Sequence, residues 1–210
     1  MKKVYFVRHG ETEGNVGKFF QTHDTPLTER GHEGAKAIAE RLSHLTIDAI
    51  IASPFYRAQQ TAGYISEAIK LPIETVESLH ELQQSIIVRG KSWDSEEGQE
   101  FIYDREQNFF NPTWVIDGAE NHAMVLERVK NTVEILEKHP AQNIVVVSHG
   151  LFIRYIATYL LLAKNTDSSI HKMMSGSLHQ LSNVAITEFI YNEADWKLLT
   201  WNDRAHFADN

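Results

Sequence analysis

The chain has 210 residues, 42% hydrophobic and 23% charged, with no cysteine and a formal net charge of −8. That length can bury one sizeable core, and no apolar run approaches the roughly 20 residues a membrane span needs. The missing cysteines exclude disulfides, thiol nucleophiles and thiolate metal sites and fit a cytoplasmic protein, while the acidic balance argues against a broad nucleic-acid-binding face or a polybasic membrane patch.

Val4–Val7 is a continuous apolar run, as expected for a parallel strand covered on both faces. This apolar stretch is only four residues long before Arg8, too short for the core of a signal peptide, so none is expected. Residues 10–30, rich in Gly, Thr and Asn, read as a long loop. Helical spacing follows at Ala35, Ile38, Ala39, Leu42 and Leu45. Ala49–Ala52 reads as a second buried strand, closed by "SP", where Ser53 is suited to cap a helix and Pro54 to enter its first turn. Ala58, Ala62, Ile65 and Ile69 then share one helical face, and Ile73–Val76 reads as a third strand.

From about 77 to 118 the periodicity degrades among scattered aromatics and mixed charges. This stretch reads as an insertion or lid with one helix near 96–110, within a single domain covering 1–210. Its aromatics fit either a lid over a site or a small core of their own. Regular spacing returns at Val125, Val129, Val133 and Leu136. Ile144–Val147 is the cleanest buried strand, followed by "SHG" and a helix over about 151–162. That helix carries the longest apolar stretch, "LFIRYIATYLLLA", interrupted by Arg154. Val184–Tyr191 and Trp196–Trp201, joined by "NEAD", read as an antiparallel edge hairpin, which leaves a homodimer open.

Alternating buried strands and amphipathic helices predict a three-layer α/β/α sandwich with a mostly parallel sheet and an antiparallel edge. In such sheets ligands bind beyond the carboxyl ends of the strands. Three strand ends carry unusual residues: "RHG" at 8–10, "SPFYR" at 53–57 and "SHG" at 148–150. Two His-Gly pairs at equivalent strand ends place two imidazoles toward one site. Arg8 and Arg57 add planar fork donors suited to phosphate oxygens, and Arg57 falls in the first turn of a helix, where anions are favoured. A histidine in a phosphate pocket is a competent nucleophile if one ring nitrogen is unprotonated and the other is held by a hydrogen bond. No carboxylate is obviously placed for that, so a backbone carbonyl near Gly10 is the expected orienter.

Five ordered segments, "VRHGETEGN", "PLTERGHEGA", "SPFYRAQQTA", "VVVSHGLFIR" and "LLTWNDRAHF", resemble the histidine phosphatase superfamily and its phosphoglycerate-mutase-like fold. The resemblance is weak over about 83–117. It implies that His9 is the phosphorylated nucleophile and that Arg8, Arg57 and His149 hold the phosphoryl oxygens, with Asn15 lining the same pocket. It also implies that Glu81, in "SLHELQQ", protonates the leaving oxygen. The implied activity is hydrolysis of a small-molecule phosphate monoester, without cofactor or metal and without nucleic-acid or membrane partners.

Glu11 and Thr12 suit loop hydrogen bonding as well as chemistry. Glu120 is a second candidate acid, or a partner for an arginine. Arg154 reads as structural, and His23, His32, His44, His139 and His171 as surface or loop residues. His9, His149 and Glu81 could in principle form a three-ligand metal set, but the flanking arginines would repel a divalent cation. Within the insertion, Arg89, Lys91 and Arg105 stand against Asp94, Glu96, Glu97, Glu100, Asp104 and Glu106. Such an acidic lid would be a poor cradle for a bisphosphorylated activator, which sets hydrolysis ahead of phosphoglycerate mutase chemistry. A catalytically idle phosphate-binding module is the third reading.

Overall fold

A computed structural model describes residues 1–193 and 195–207. The first strand, β1 (Lys2–Arg8), shows why its sequence is apolar without alternation. Val4 and Phe6 enter one core cluster and Tyr5 and Val7 enter another, on opposite faces of the sheet. Asn143–Ser148 divides the same way, Ile144 and Val146 against Val145 and Val147. A strand covered on both sides has no polar face to display.

After β1 come a one-turn helix α1 (Glu13–Val16) and α2 (Glu29–Ser43). The expected loop at 10–30 therefore contains a helical turn, closed by a reciprocal cap between Thr12 and Asn15. Then follow β2 (Ala49–Ala52), α3 (Tyr56–Ile69) and β3 (Ile73–Thr75). The middle of the chain forms α4 (Glu96–Asn108) and α5 (His122–Lys138). After these come β4 (Asn143–Ser148), α6 (Gly150–Leu161) and α7 (Ser168–Ser177), and the chain returns through β5 (Ile186–Tyr191) and β6 (Trp196–Asp203). α7 was not anticipated; its apolar residues are few, and the Asp167 cap is its clearest signal. Ala194, in the "NEAD" turn, and residues 208–210 of the expected 1–210 domain lie outside the described residues.

The sheet order is β3-β2-β4-β1-β5-β6. β3, β2, β4 and β1 are mutually parallel, while β5 and β6 run antiparallel at the other edge. The three-layer sandwich with an antiparallel edge is thus observed. α2 and α3 cover one face; α5 and α6 cover the other. Phe101, Phe109 and Trp114, from the segment expected to be an insertion, are buried in the same cluster as α5 and α6. They extend the main core instead of building a separate one.

Register sets the site. Arg8 pairs with Ser148, and Ala52 with Val147. The residues that follow, His9, Ser53 and His149, therefore leave three adjacent strands at one level. Beneath them, Gly10 meets the α2 backbone so closely that a Cβ there would lie 2.6 Å from the Gly31 carbonyl oxygen. At the opposite end of the sheet Lys2 donates to the Leu136 and His139 carbonyls, both at 2.6 Å, at the C-terminus of α5. A cation is favoured at a helix C-terminus.

Candidate active site

His9 and His149 are 3% and 0% exposed, their ring centroids 5.1 Å apart. His9 Nδ1 lies 2.7 Å from the Gly10 carbonyl oxygen. A carbonyl can only accept, so Nδ1 carries the proton and Nε2 presents its lone pair. Arg57 Nε donates to that Nε2 at 3.2 Å, and Arg57 Nη1 donates to the Thr22 carbonyl at 3.0 Å. The expected backbone orienter is present.

Burial, reinforced by the charges of Arg57 and Arg8, holds the His9 pKa far below the ordinary imidazole value. His149 is depressed likewise, by burial first and then by Arg57 and His9. Burial also brings the Arg57 guanidinium down to about 10, with Glu81 opposing the shift and Arg8 adding to it. Two neutral imidazoles thus sit among obligate cations.

Ser53 corrects the sequence reading. The cap of α3 is Phe55, which makes no side-chain capping bond. Ser53 Oγ instead lies 2.7 Å from His149 Nε2 and accepts from the Phe55 amide at 3.3 Å. Phe55 then packs edge-on against His149 and stacks on His23.

Glu81 is held by α6. Its carboxylate accepts from Leu151 N at 3.1 Å and Phe152 N at 3.0 Å, in the first turn of the helix that begins at the end of β4. This places an acid in the wall of the cavity that His9 also lines. Glu120, the alternative acid, instead makes a paired interaction with Arg128, at 2.9 and 2.7 Å. Arg128 in turn donates to the Ser78 and His80 carbonyls, and Gln83 N donates to Glu120. Glu120 and Arg128 thereby fix the segment that carries Glu81. Asn15 Oδ1 accepts from Thr12 N and from Asn183 Nδ2, and Asn183 also donates to the His9 carbonyl. Glu11 accepts from Thr28 and Thr12 caps α1, so both serve the loop.

These residues open into a cavity of about 590 Å³ whose walls include Arg8, His9, Asn15, Arg57 and Glu81. His149 lies behind them. Arg89, Arg105 and Arg154 line the same cavity, and among the described residues Glu81 is its one acidic lining residue. The acidic lid is therefore overturned: Asp94, Glu96, Glu97, Glu100 and Glu106 are solvent-exposed and face away, and Asp104 accepts from Trp114 Nε1. Arg154 faces the cavity instead of bracing the sheet. His171 is fully buried rather than superficial, its ring 5.2 Å from that of His122. Asn183 and Ser53 were missed as site residues. Ser53's position at a strand end was the available signal; for Asn183 there was none, because its loop carries no motif. Among the described residues no three His, Asp or Glu side chains are arranged to hold a metal, and no helix is long and apolar enough to cross a membrane.

Two buried imidazoles, a cluster of guanidinium groups and a carboxylate thus lie together at the carboxyl ends of a parallel sheet. The chain belongs to the histidine phosphatase superfamily (branch 1), whose model matches residues 4–204. It is 29% identical to the "Probable phosphoglycerate mutase GpmB" of Cronobacter sakazakii, over 96% of this chain and 90% of that protein. It is 32% identical to phosphoserine phosphatase 1 of Hydrogenobacter thermophilus, over 77% of each. Among solved structures it resembles a mycobacterial glucosyl-3-phosphoglycerate phosphatase, with a TM-score of 0.79, 25% identity, and 97% of this chain and 100% of that one covered.

Proposed function

We propose that the protein is a metal-independent phosphomonoester hydrolase working through a phosphohistidine on His9. The observation that carries this reading is the His9 tautomer: Nδ1–H on the Gly10 carbonyl leaves an Nε2 lone pair directed into an arginine-lined cavity. Arg57 Nε–H donates to that lone pair. An arriving phosphoryl group offers Arg57 a better acceptor and frees Nε2. The lone pair then attacks phosphorus as the ester P–O bond breaks, and the leaving oxygen takes a proton from Glu81. Arg8, Arg57 and His149 stabilise the charge on the phosphoryl oxygens. Water next attacks phosphorus and gives a proton to Glu81. The P–N electrons return to Nε2, and inorganic phosphate leaves.

The arginine-lined wall supports phosphoglycerate mutase chemistry as a second reading, since the acidic lid that counted against it does not face the site. The two share the first half-reaction and differ in the acceptor. Phosphate release from a panel of esters in EDTA, with His9→Ala alongside, tests the first. Loss of about 10³-fold or more in kcat is expected for the variant, with a phosphoryl-sized mass increment on the wild type after an alkaline quench. Full activity of the variant would remove His9 as nucleophile. Rapid interconversion of 2- and 3-phosphoglycerate without phosphate release would establish the mutase.

A further inference from the structure

The cavity holds more positive charge than one phosphate requires. Arg8, Arg57, Arg89, Arg105 and Arg154 line it against the single carboxylate of Glu81. A phosphate dianion would neutralise about half of that surplus. None of the five forms an ion pair among the described residues, whereas Arg30, Arg41 and Arg128 each do. Burial lowers the pKa of Arg105, as it does for Arg8 and Arg57.

The five fall into two groups. Arg8 and Arg57 act on His9 and His149. The charge of Arg154 acts on Arg105, and neither is among the charges that act on His9 and His149, while the field of Glu81 reaches Arg105, Arg8 and Arg57. Arg105 is steadied by Gln84 Oε1 at 2.9 Å, and Arg89 by Gln83 Oε1 at 3.2 Å. Arg154 Nε is buried with no acceptor. Arg154 lies five residues beyond His149, about 7.5 Å farther along α6 at 1.5 Å per residue. The same cavity wall also includes the apolar side chains of Leu82, Trp93, Ile102 and Leu151.

We propose that Arg105 and Arg154, assisted by Arg89, form a second oxyanion subsite, so that the preferred substrate is a short phosphate monoester carrying a second anionic group. This rests on the phosphatase reading for its first subsite. The phosphoryl group sits at His9, three or four chain atoms cross the apolar wall past Glu81, and a carboxylate or second phosphate reaches the guanidinium pair. The substrate class is set by α4 and α6, not by the strand-end motifs.

The test compares kcat/KM within matched pairs: phosphoserine against phosphoethanolamine, 3-phosphoglycerate against glycerol 3-phosphate, and propane-1,3-diol bisphosphate against propyl phosphate. The first two pairs read a carboxylate and the third a phosphate. The wild type should prefer the doubly anionic member of at least one pair by about 10–100-fold, as expected for a charge-assisted contact. Arg154→Gln and Arg105→Gln should collapse that ratio and the corresponding lysine variants restore part of it. Arg30→Gln, outside the cavity, should leave it unchanged. Ratios near one in a wild type that hydrolyses the simple esters would overturn the subsite and spare the phosphatase reading. Should no ester turn over, the phosphatase reading falls. The same pairs titrated calorimetrically into His9→Ala still decide the subsite: a preference lost in His9→Ala/Arg154→Gln supports it, and equal affinities overturn it.

Discussion

The Nε–H of Arg57 points at Nε2 of His9 from 3.2 Å, so the guanidinium and the imidazole proposed as nucleophile are bonded directly to each other. The contact disfavours protonation of His9 at Nε2, and in the proposed mechanism its exchange for a phosphoryl oxygen would couple binding to activation. Arg57 also sits on the second residue of α3, where the helix amino end adds partial positive charge.

Replacing Arg57 with Met should cost about 10²–10³-fold in kcat/KM, the usual loss when one donor to a developing oxyanion is removed. Because Arg57 is a buried cation without a carboxylate partner, the same change should raise the melting temperature by about 2–4 °C, corresponding to about 1 kcal/mol. Calorimetric melts of both proteins check it; a lower melting temperature would mean that the Thr22 contact outweighs the charge.

Glu81→Gln should discriminate between leaving groups. p-Nitrophenolate departs without a proton, so hydrolysis of its phosphate should fall less than about tenfold. An alkyl phosphate needs the acid and should lose about 10²–10⁴-fold. Equal losses on both esters would assign Glu81 to positioning alone.

The depressed histidines predict an acid-sensitive fold. In the unfolded chain both titrate near 6.5, whereas in the folded protein His9 and His149 resist protonation. Below that pH the unfolded state binds more protons. Their contribution is therefore complete above about pH 6.5 and declines as pH falls, by up to about 1.4 kcal/mol per pH unit for each histidine. His122, brought down to about 4 by burial and His171, adds to the decline. Urea unfolding at stepped pH should show the slope reduced by about one proton in His149→Asn. An unchanged slope would mean His149 is already protonated in the fold.

Arg128→Met strands the buried Glu120 carboxylate and frees the Ser78 and His80 carbonyls. A loss of about 3–5 kcal/mol is expected, or about 10 °C in melting temperature. Glu120→Met/Arg128→Met together should be milder in stability than the single change, yet still impair alkyl-phosphate hydrolysis through a displaced Glu81.

The readable parts of the sequence were those fixed locally. β1 and β4 carry continuous apolar runs because both faces are covered, and His9 and His149 follow them at the sheet's carboxyl edge. What could not be read depends on side-chain direction in irregular chain. Arg89 and Asp94 are five residues apart, and only packing of Phe101, Phe109 and Trp114 into the main core turns the first inward and the second out. Arg154 occupies an apolar helix, where spacing alone suggested a brace. The burial of His171 likewise comes from α7 docking on α6, a long-range event without local periodicity.

Net charge −8 and a guanidinium-lined mouth together make the molecule selective before contact. Over distances within the screening length of about 8–10 Å, most of the exterior turns anions away while one opening draws them in. Encounter is thus concentrated on the productive face. For the proposed hydrolase the same field would resist the departure of inorganic phosphate, so that escape of product would compete with bond cleavage for control of turnover.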